Sequence, residues 1–134
     1  MTIEDIAETF ELLGDWEERY AYLIELGRKL PPLTDTERSE ETKVRGCMSQ
    51  VWLVGGAQAD GTMRFNGDSD STLVKGLIAL LMVLVNGKTA AAILSTNIAA
   101  VFKGLGLEGH ITVNRRNGFF SMVERIQLLC RQSG

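Results

Sequence analysis

Between Leu73 and Val85 the chain places Leu73, Val74, Leu77, Ile78, Leu81, Leu84 and Val85 at spacings that put apolar side chains on nearly every side of a helix. Such a helix has no face to give to water, so other elements must wrap it from several directions. Its uncharged stretch, Gly76 to Val85 between Lys75 and Asn86, is far shorter than the ~18 residues a bilayer crossing needs. It is read as a central core helix and not as a membrane span. The run Gly67-Asp68-Ser69-Asp70-Ser71 supplies capping side chains ahead of it, and Asn86-Gly87 closes it.

The elements available to cover this helix can be read on either side of it. Thr2-Ile3-Glu4-Asp5 has the pattern of a capping box, and Ile3, Ile6, Phe10 and Leu13 follow at helical spacing until Gly14. Asp15 caps a second helix carrying Trp16, Tyr20, Leu23 and Ile24, which ends in Gly27 to Leu30 before Pro31-Pro32. The two form a helical hairpin. Residues 33–42 turn polar and lose all period, as a mobile connecting loop would. The period then changes to two. Gln50-Val51-Trp52-Leu53-Val54 and Thr62-Met63-Arg64-Phe65 alternate around Asp60-Gly61, a hairpin turn signal. Lys43-Val44-Arg45 is a possible short third strand, Gly55-Gly56 marks a bulge, and Trp52 is assigned to the core. Two short Ala-rich helices begin after Thr89 and Asn97, with Gly104-Leu105-Gly106 as a helix-ending turn. A last helix runs from about Asn117 to Gln132 with Met122, Val123, Ile126, Leu129 and Cys130 on one face. Helices, a hairpin of two or three antiparallel strands and further helices make an α+β single domain over residues 1–134.

The charge balance, 14 Lys and Arg against 17 Asp and Glu, leaves −3 with no basic stripe, which argues against a nucleic-acid partner. At 134 residues the chain should bury roughly two-thirds of its unfolded surface, enough for a core without disulfide or metal staples. Met1 to Asp5 shows neither a basic region nor an apolar stretch of the secretory kind, so a cytoplasmic protein is expected, with no membrane partner.

Counting ligands narrows the chemistry. Two cysteines and one histidine cannot supply the four ligands of a structural zinc site or a chain-borne iron–sulfur cluster, so neither a metal nor another cofactor is expected. No glycine-rich phosphate cradle follows a strand. Cys130 falls on the apolar seam of the last helix, where a thiol acts as a small hydrophobe. Cys47 instead follows Gly46 in a short segment between Arg45 and Ser49, with Lys43 near in sequence. Cations and turn N–H groups favour a reactive thiolate there; a buried thiol at the end of a sheet fits the spacing equally well. His110 between Gly109 and Ile111 reads as a packed or capping imidazole, against the alternative of a Cys47–His110 hydrolase dyad. Arg115 and Arg116, where a helix dipole disfavours cations, are either a positive patch for a protein partner or ordinary solvated arginines.

The string Val44-Arg45-Gly46-Cys47-Met48-Ser49-Gln50-Val51-Trp52 resembles the Val-x-Gly-Cys-x-Ser-x-Val-Trp signature of SufE-type cysteine desulfuration proteins. Further segments keep that family's order. Leu26-Gly27-Arg28-Lys29-Leu30-Pro31 resembles its Leu-Gly-Lys-x-Leu-Pro. Asp68-Ser69-Asp70 and Val74-Lys75-Gly76-Leu77-Ile78-Ala79 resemble its Ser-Asp-Ala and Lys-Gly-Leu-Ile-Ala. Gly106-Leu107, His110, Arg116, Asn117 and Gly118 resemble its Gly-Leu, His-Leu and Arg-x-x-Gly elements. Ser71 stands where the family usually has Ala, and Val113-Asn114 where it has Pro-Ser. The resemblance implies a fold shared by SufE and IscU-type proteins and a sulfur relay. A pyridoxal-phosphate cysteine desulfurase, of the SufS or CsdA kind, would pass persulfide sulfur to Cys47, and a downstream iron–sulfur scaffold would receive it. Arg45, Gly46, Ser49, Asp70 and Arg116 would shape the loop or meet the partner, with the chain a monomer or weak homodimer. Cys47 is expected to be partly shielded until docking. The competing expectation is a partner-binding activator whose cysteine is only structural.

Overall fold

A computed structural model describes residues 1–46 and 49–133, so every expectation that falls on Cys47 itself lies outside the described residues. Helix α1, Ile3–Leu12, starts on a complete capping box: Asp5 N–H donates to Thr2 Oγ1 at 3.2 Å and Thr2 N–H to Asp5 Oδ2 at 2.8 Å. Helix α2, Trp16–Arg28, begins where Asp15 Oδ1 accepts from Glu18 N–H at 2.8 Å. Strands β1, Val51–Ala57, and β2, Met63–Ser69, pair antiparallel in register from Val51 opposite Ser69 to Ala57 opposite Met63. Helix α3, Thr72–Val85, is capped by Ser71 and followed by α4, Ala90–Ser95, and α5, Ile98–Gly104, which Thr89 and Asn97 cap. A 3-10 turn, Leu107–Gly109, leads to α6, Val113–Ser133.

Helix α3 is the centre, as its composition demands. Leu77, Ile78 and Leu81 are fully buried, with α2 on one side, β2 on another and α6 on a third. The approach of α2 is close because two glycines permit it. A Cβ on Gly76 would stand 2.4 Å from the Leu23 carbonyl oxygen, and one on Gly27 would stand 2.6 Å from the Gly76 nitrogen. The architecture is an α+β single domain with a two-stranded sheet among the described residues. No described helix is long and apolar enough to cross a membrane.

Several local expectations need correction. Residues 43–45 contribute only an isolated bridge from Lys43 to Trp52, so they form no third strand. Strand β2 continues through Gly67 to Ser69, because its inward positions Met63, Phe65, Gly67 and Ser69 are all buried; of the polar run before α3, Ser71 is the cap. Gly55 and Gly56 pair in register with Phe65 and Arg64, without a bulge. Gly55 is needed there because its φ is +138° and a Cβ would lie 2.3 Å from the Arg64 carbonyl oxygen. Trp52 is half-buried on the outward face of β1, since Val51 and Leu53 take the inward positions. Helix α6 starts four residues earlier than expected. Its cap is Thr112, whose Oγ1 accepts from Arg115 N–H at 3.3 Å.

The segment 33–42 is anchored despite its polar composition. Leu33 is buried, and Thr34 and Glu37 cap each other. Arg38 reaches Asp68 Oδ2 at 3.1 Å, while Lys75 Nζ approaches the same carboxylate at 3.5 Å. Local side-chain hydrogen bonds of this type leave no hydrophobic period for a sequence reading to detect.

Candidate functional site

The segment leading to Cys47 is held against the beginning of β1. Leu53 N–H donates to the Thr42 carbonyl at 2.9 Å and Val44 N–H to the Val51 carbonyl at 2.8 Å, with Val44 itself buried. The backbone then reaches Gly46 at φ +87°, a left-handed conformation that suits glycine, where a Cβ would lie 3.1 Å from Ser121 Oγ on α6. Arg45 points elsewhere and pairs with Glu40 at 3.1 Å; both side chains are about three-quarters exposed, at 74% and 76%, so the pair adds little stability.

The returning segment is fixed by Asp70. Gln50 N–H donates to Asp70 Oδ1 at 3.1 Å, and Asp70 N–H to the Gln50 carbonyl at 3.3 Å. Next to Gln50, Ser49 is half-buried and lines a cavity of about 260 Å³ whose other walls are Val51, Val74 and the start of α6 at Thr112, Asn114, Arg115 and Gly118. Arg115 is positioned by Ser71, to whose Oγ its Nη1 donates at 2.9 Å. The same oxygen accepts from Val74 N–H at 3.3 Å, so one hydroxyl caps α3 and holds the guanidinium. The guanidinium is thus a fixed positive group beside the cavity.

The structure therefore assembles Ser49, Asp70 and Gly46 at the two ends of the short segment that contains Cys47, with Gly46 and Ser49 both beside α6. It leaves Arg45 on Glu40. Arg116 Nη1 instead donates to the Glu108 carbonyl at 3.3 Å, in the 3-10 turn. Successive residues on a helix are about 100° apart around its axis, so the two arginines serve different sides of α6. Arg115, which the sequence offers only jointly with Arg116 as a possible partner patch, is the arginine that lines the cavity, whereas the expected partner contact falls on Arg116. The Arg-x-x-Gly spacing counted back from Gly118 falls on Arg115 and was the available signal.

The remaining candidates lie apart from this cavity. Cys130 has 0% exposure, and burial raises its thiol pKa, which keeps it neutral. His110 is exposed, with its ring stacked on Trp16 at a centroid distance of 4.0 Å and an interplanar angle of 12°. Among the described residues no three His, Cys, Asp or Glu side chains converge as metal ligands would.

Comparison with known proteins places this arrangement in a family. The model of the SufE family, described as an Fe-S metabolism associated domain, matches residues 4–130. An uncharacterized SufE-like protein of Rhizobium etli is 42% identical over 129 residues, covering 94% of this chain and 87% of its own. A second, from Rhizobium meliloti, is 40% identical, covering 94% and 92%. A solution structure of a hypothetical protein from Thermus thermophilus superposes with a TM-score of 0.79 at 24% identity, over 99% of this chain and 98% of that one, and so shares the fold. With a family match across nearly its whole length and relatives at this identity, the chain belongs to the SufE family, whose role lies in iron–sulfur metabolism.

Proposed function

We propose that this protein accepts sulfane sulfur on Cys47 from the persulfide of a pyridoxal-phosphate cysteine desulfurase of the SufS or CsdA kind. By doing so it stimulates the desulfurase and carries the sulfur towards a scaffold for iron–sulfur cluster assembly in the cytoplasm, as a monomer or weak homodimer. The observation that carries this reading concerns the other thiol. Of the two cysteines, Cys130 is sealed at 0% exposure and kept protonated by burial. Sulfur transfer by this chain therefore falls to Cys47.

The chemistry needs little else from the protein. The Cys47 thiolate attacks the outer sulfur of the donor persulfide, a new S–S bond forms at Cys47, the donor S–S bond breaks, and the desulfurase cysteine leaves as a thiolate. Two thiol sulfurs exchange one sulfane sulfur, so no external oxidant, reductant or resident cofactor takes part. The proton of the Cys47 thiol is lost before attack, a step that positive charge nearby promotes. Arg115, fixed by Ser71 beside the cavity that Ser49 lines, is the described group suited to a persulfide or to a carboxylate of the docked partner. Gly46 and the Asp70 clamp on Gln50 define the two ends between which Cys47 would move outward on docking.

Peptide mass spectrometry after incubation with a desulfurase and L-cysteine tests the reading directly. One added sulfur atom on the Cys47 peptide, and none on the Cys130 peptide, is the expected result. Cys47→Ser should abolish stimulation of the desulfurase while leaving complex formation intact. Full stimulation by Cys47→Ser would establish the partner-binding activator instead.

A further inference from the structure

A second concavity, of about 460 Å³, lies between the end of α2, the β1–β2 hairpin and α3, and it shares no described lining residue with the cavity beside Ser49. Its floor is apolar, made by Leu26, Val54, Phe65, Met82 and Val83. The two asparagines in its wall are committed to the frame. Asn66 Nδ2 donates to the Pro31 carbonyl at 2.7 Å, and Asn86 accepts from Phe65 N–H at 2.7 Å while donating to its carbonyl at 3.0 Å. The concavity is therefore preformed, with α2, the hairpin and α3 tied together around it.

The rim carries charge of one sign. Lys29 and Arg64 both line the concavity and both are exposed, whereas no Asp or Glu does. Neither cation has an ion-pair partner among the described residues. The carboxylate that feels Arg64 is Asp60, whose lowered pKa comes chiefly from its hydrogen bonds with Thr62 and least from Arg64. An apolar floor with unpaired cations at its edge is the complement of a molecule with an aliphatic body and an anionic head, and the volume lies in the range of small-molecule sites.

We propose that this concavity binds a small amphipathic anion, with a carboxylate held between Lys29 and Arg64 and an aliphatic tail of about eight to ten carbons on the Leu26–Val54–Val83 floor. The proposal is independent of Cys47 and of the sulfur-transfer reading.

Titration of the isotopically labelled full chain with octanoate, octan-1-ol and octylammonium, followed by amide chemical shifts, tests it. Octanoate should shift the amides of Leu26, Val54 and Val83 saturably at millimolar concentration. Octan-1-ol should bind about tenfold more weakly and octylammonium more weakly still, because a charge-assisted contact is lost or reversed. The exposed double variant Lys29→Gln/Arg64→Gln should bring octanoate down to the affinity of the alcohol. Equal binding of all three amphiphiles, or octanoate shifts centred on Ser49 and Arg115, would overturn the proposal. So would the absence of any saturable shift, which would leave the concavity to a segment of a partner protein.

Discussion

Replacing Gly76 by Ala tests the packing on which the whole molecule depends. The added Cβ would sit 2.4 Å from the Leu23 carbonyl oxygen and 2.6 Å from its carbonyl carbon. Both obstacles are backbone atoms of α2, which cannot rotate away. Restoring an ordinary separation requires α2 and α3 to part by about 1 Å, and a gap of that size forfeits a quarter to a half of each dispersion contact along the seam. Leu23, at 0% exposure and directly against Gly76, is a side chain that loses packing there. Overpacking typically costs about 1–3 kcal/mol, and an immovable neighbour puts this site at or just above the upper end. Alanine's better helix propensity returns up to about 1 kcal/mol. The expected net loss is thus about 2–3 kcal/mol, equivalent to a fall in Tm of about 7–11 °C for a chain of this length. Urea unfolding followed by circular dichroism, with an unchanged m-value, reads the loss. Gly104→Ala, where a Cβ meets nothing within 4 Å, is the control and should be neutral or stabilising. A Gly76→Ala protein that melts within about 1 °C of the parent would refute the account of why α2 and α3 lie so close.

Other consequences can be measured with single substitutions. Ser71→Ala removes both the α3 cap and the acceptor for Arg115, and should cost about 1–2 kcal/mol; a double-mutant cycle with Arg115→Ala should show coupling above about 0.5 kcal/mol, and strict additivity would separate the two roles of the hydroxyl. In Cys47→Ser protein, an aromatic disulfide reagent should find no reactive thiol in the native state and one after unfolding, since Cys130 is buried and its pKa raised. Asp5 has its pKa lowered, chiefly by the hydrogen bond from the Thr2 backbone N–H. A depressed folded-state pKa means that its contribution is present above the unfolded carboxylate value near ~3.9 and disappears as pH falls through the folded one. Asp5→Asn should therefore flatten the acid limb of the stability curve, and an unchanged limb would assign acid sensitivity to other carboxylates.

Features with a strong local cause were legible from the sequence. The caps at Thr2, Asp15, Thr89 and Asn97, and the burial of α3, follow from short-range hydrogen-bonding chemistry and from an apolar pattern with no polar face. Features set by tertiary contact were not. The segment 33–42 owes its order to Arg38 and Asp68, thirty residues apart in sequence, which no periodicity reports. The extension of β2 through Asn66, Gly67 and Asp68 runs against strand propensity, and pairing with Leu53, Trp52 and Val54 overrides it. Gly55 is required for a reason other than the bulge its sequence suggests, since close approach to the Arg64 carbonyl excludes a side chain as a bulge would.

The site shows how a small error in a helix boundary becomes an error in chemistry. With α6 beginning near Asn117, Arg115 and Arg116 would both lie in a loop and neither would have a defined direction. Beginning at Val113 with Thr112 as cap, the helix gives each arginine a phase and sends only Arg115 towards Ser49 and Ser71. The early start carries no capping-box signature, because position N3 is Arg115 where such a box would have Glu or Gln. A cation in the first helical turn opposes the macrodipole at a cost of about 0.3–1 kcal/mol, which the hydrogen bond to the Ser71 hydroxyl, worth a similar amount net, roughly offsets. Stability alone therefore gives little reason to hold a guanidinium at that point. A role for the guanidinium in the cavity that Ser49 lines, as the proposed function requires, would give one: Arg115→Gln should leave the melting temperature within about 2 °C of the parent while reducing desulfurase stimulation. Normal stimulation by that variant would make Arg115 a structural tether between α6 and α3.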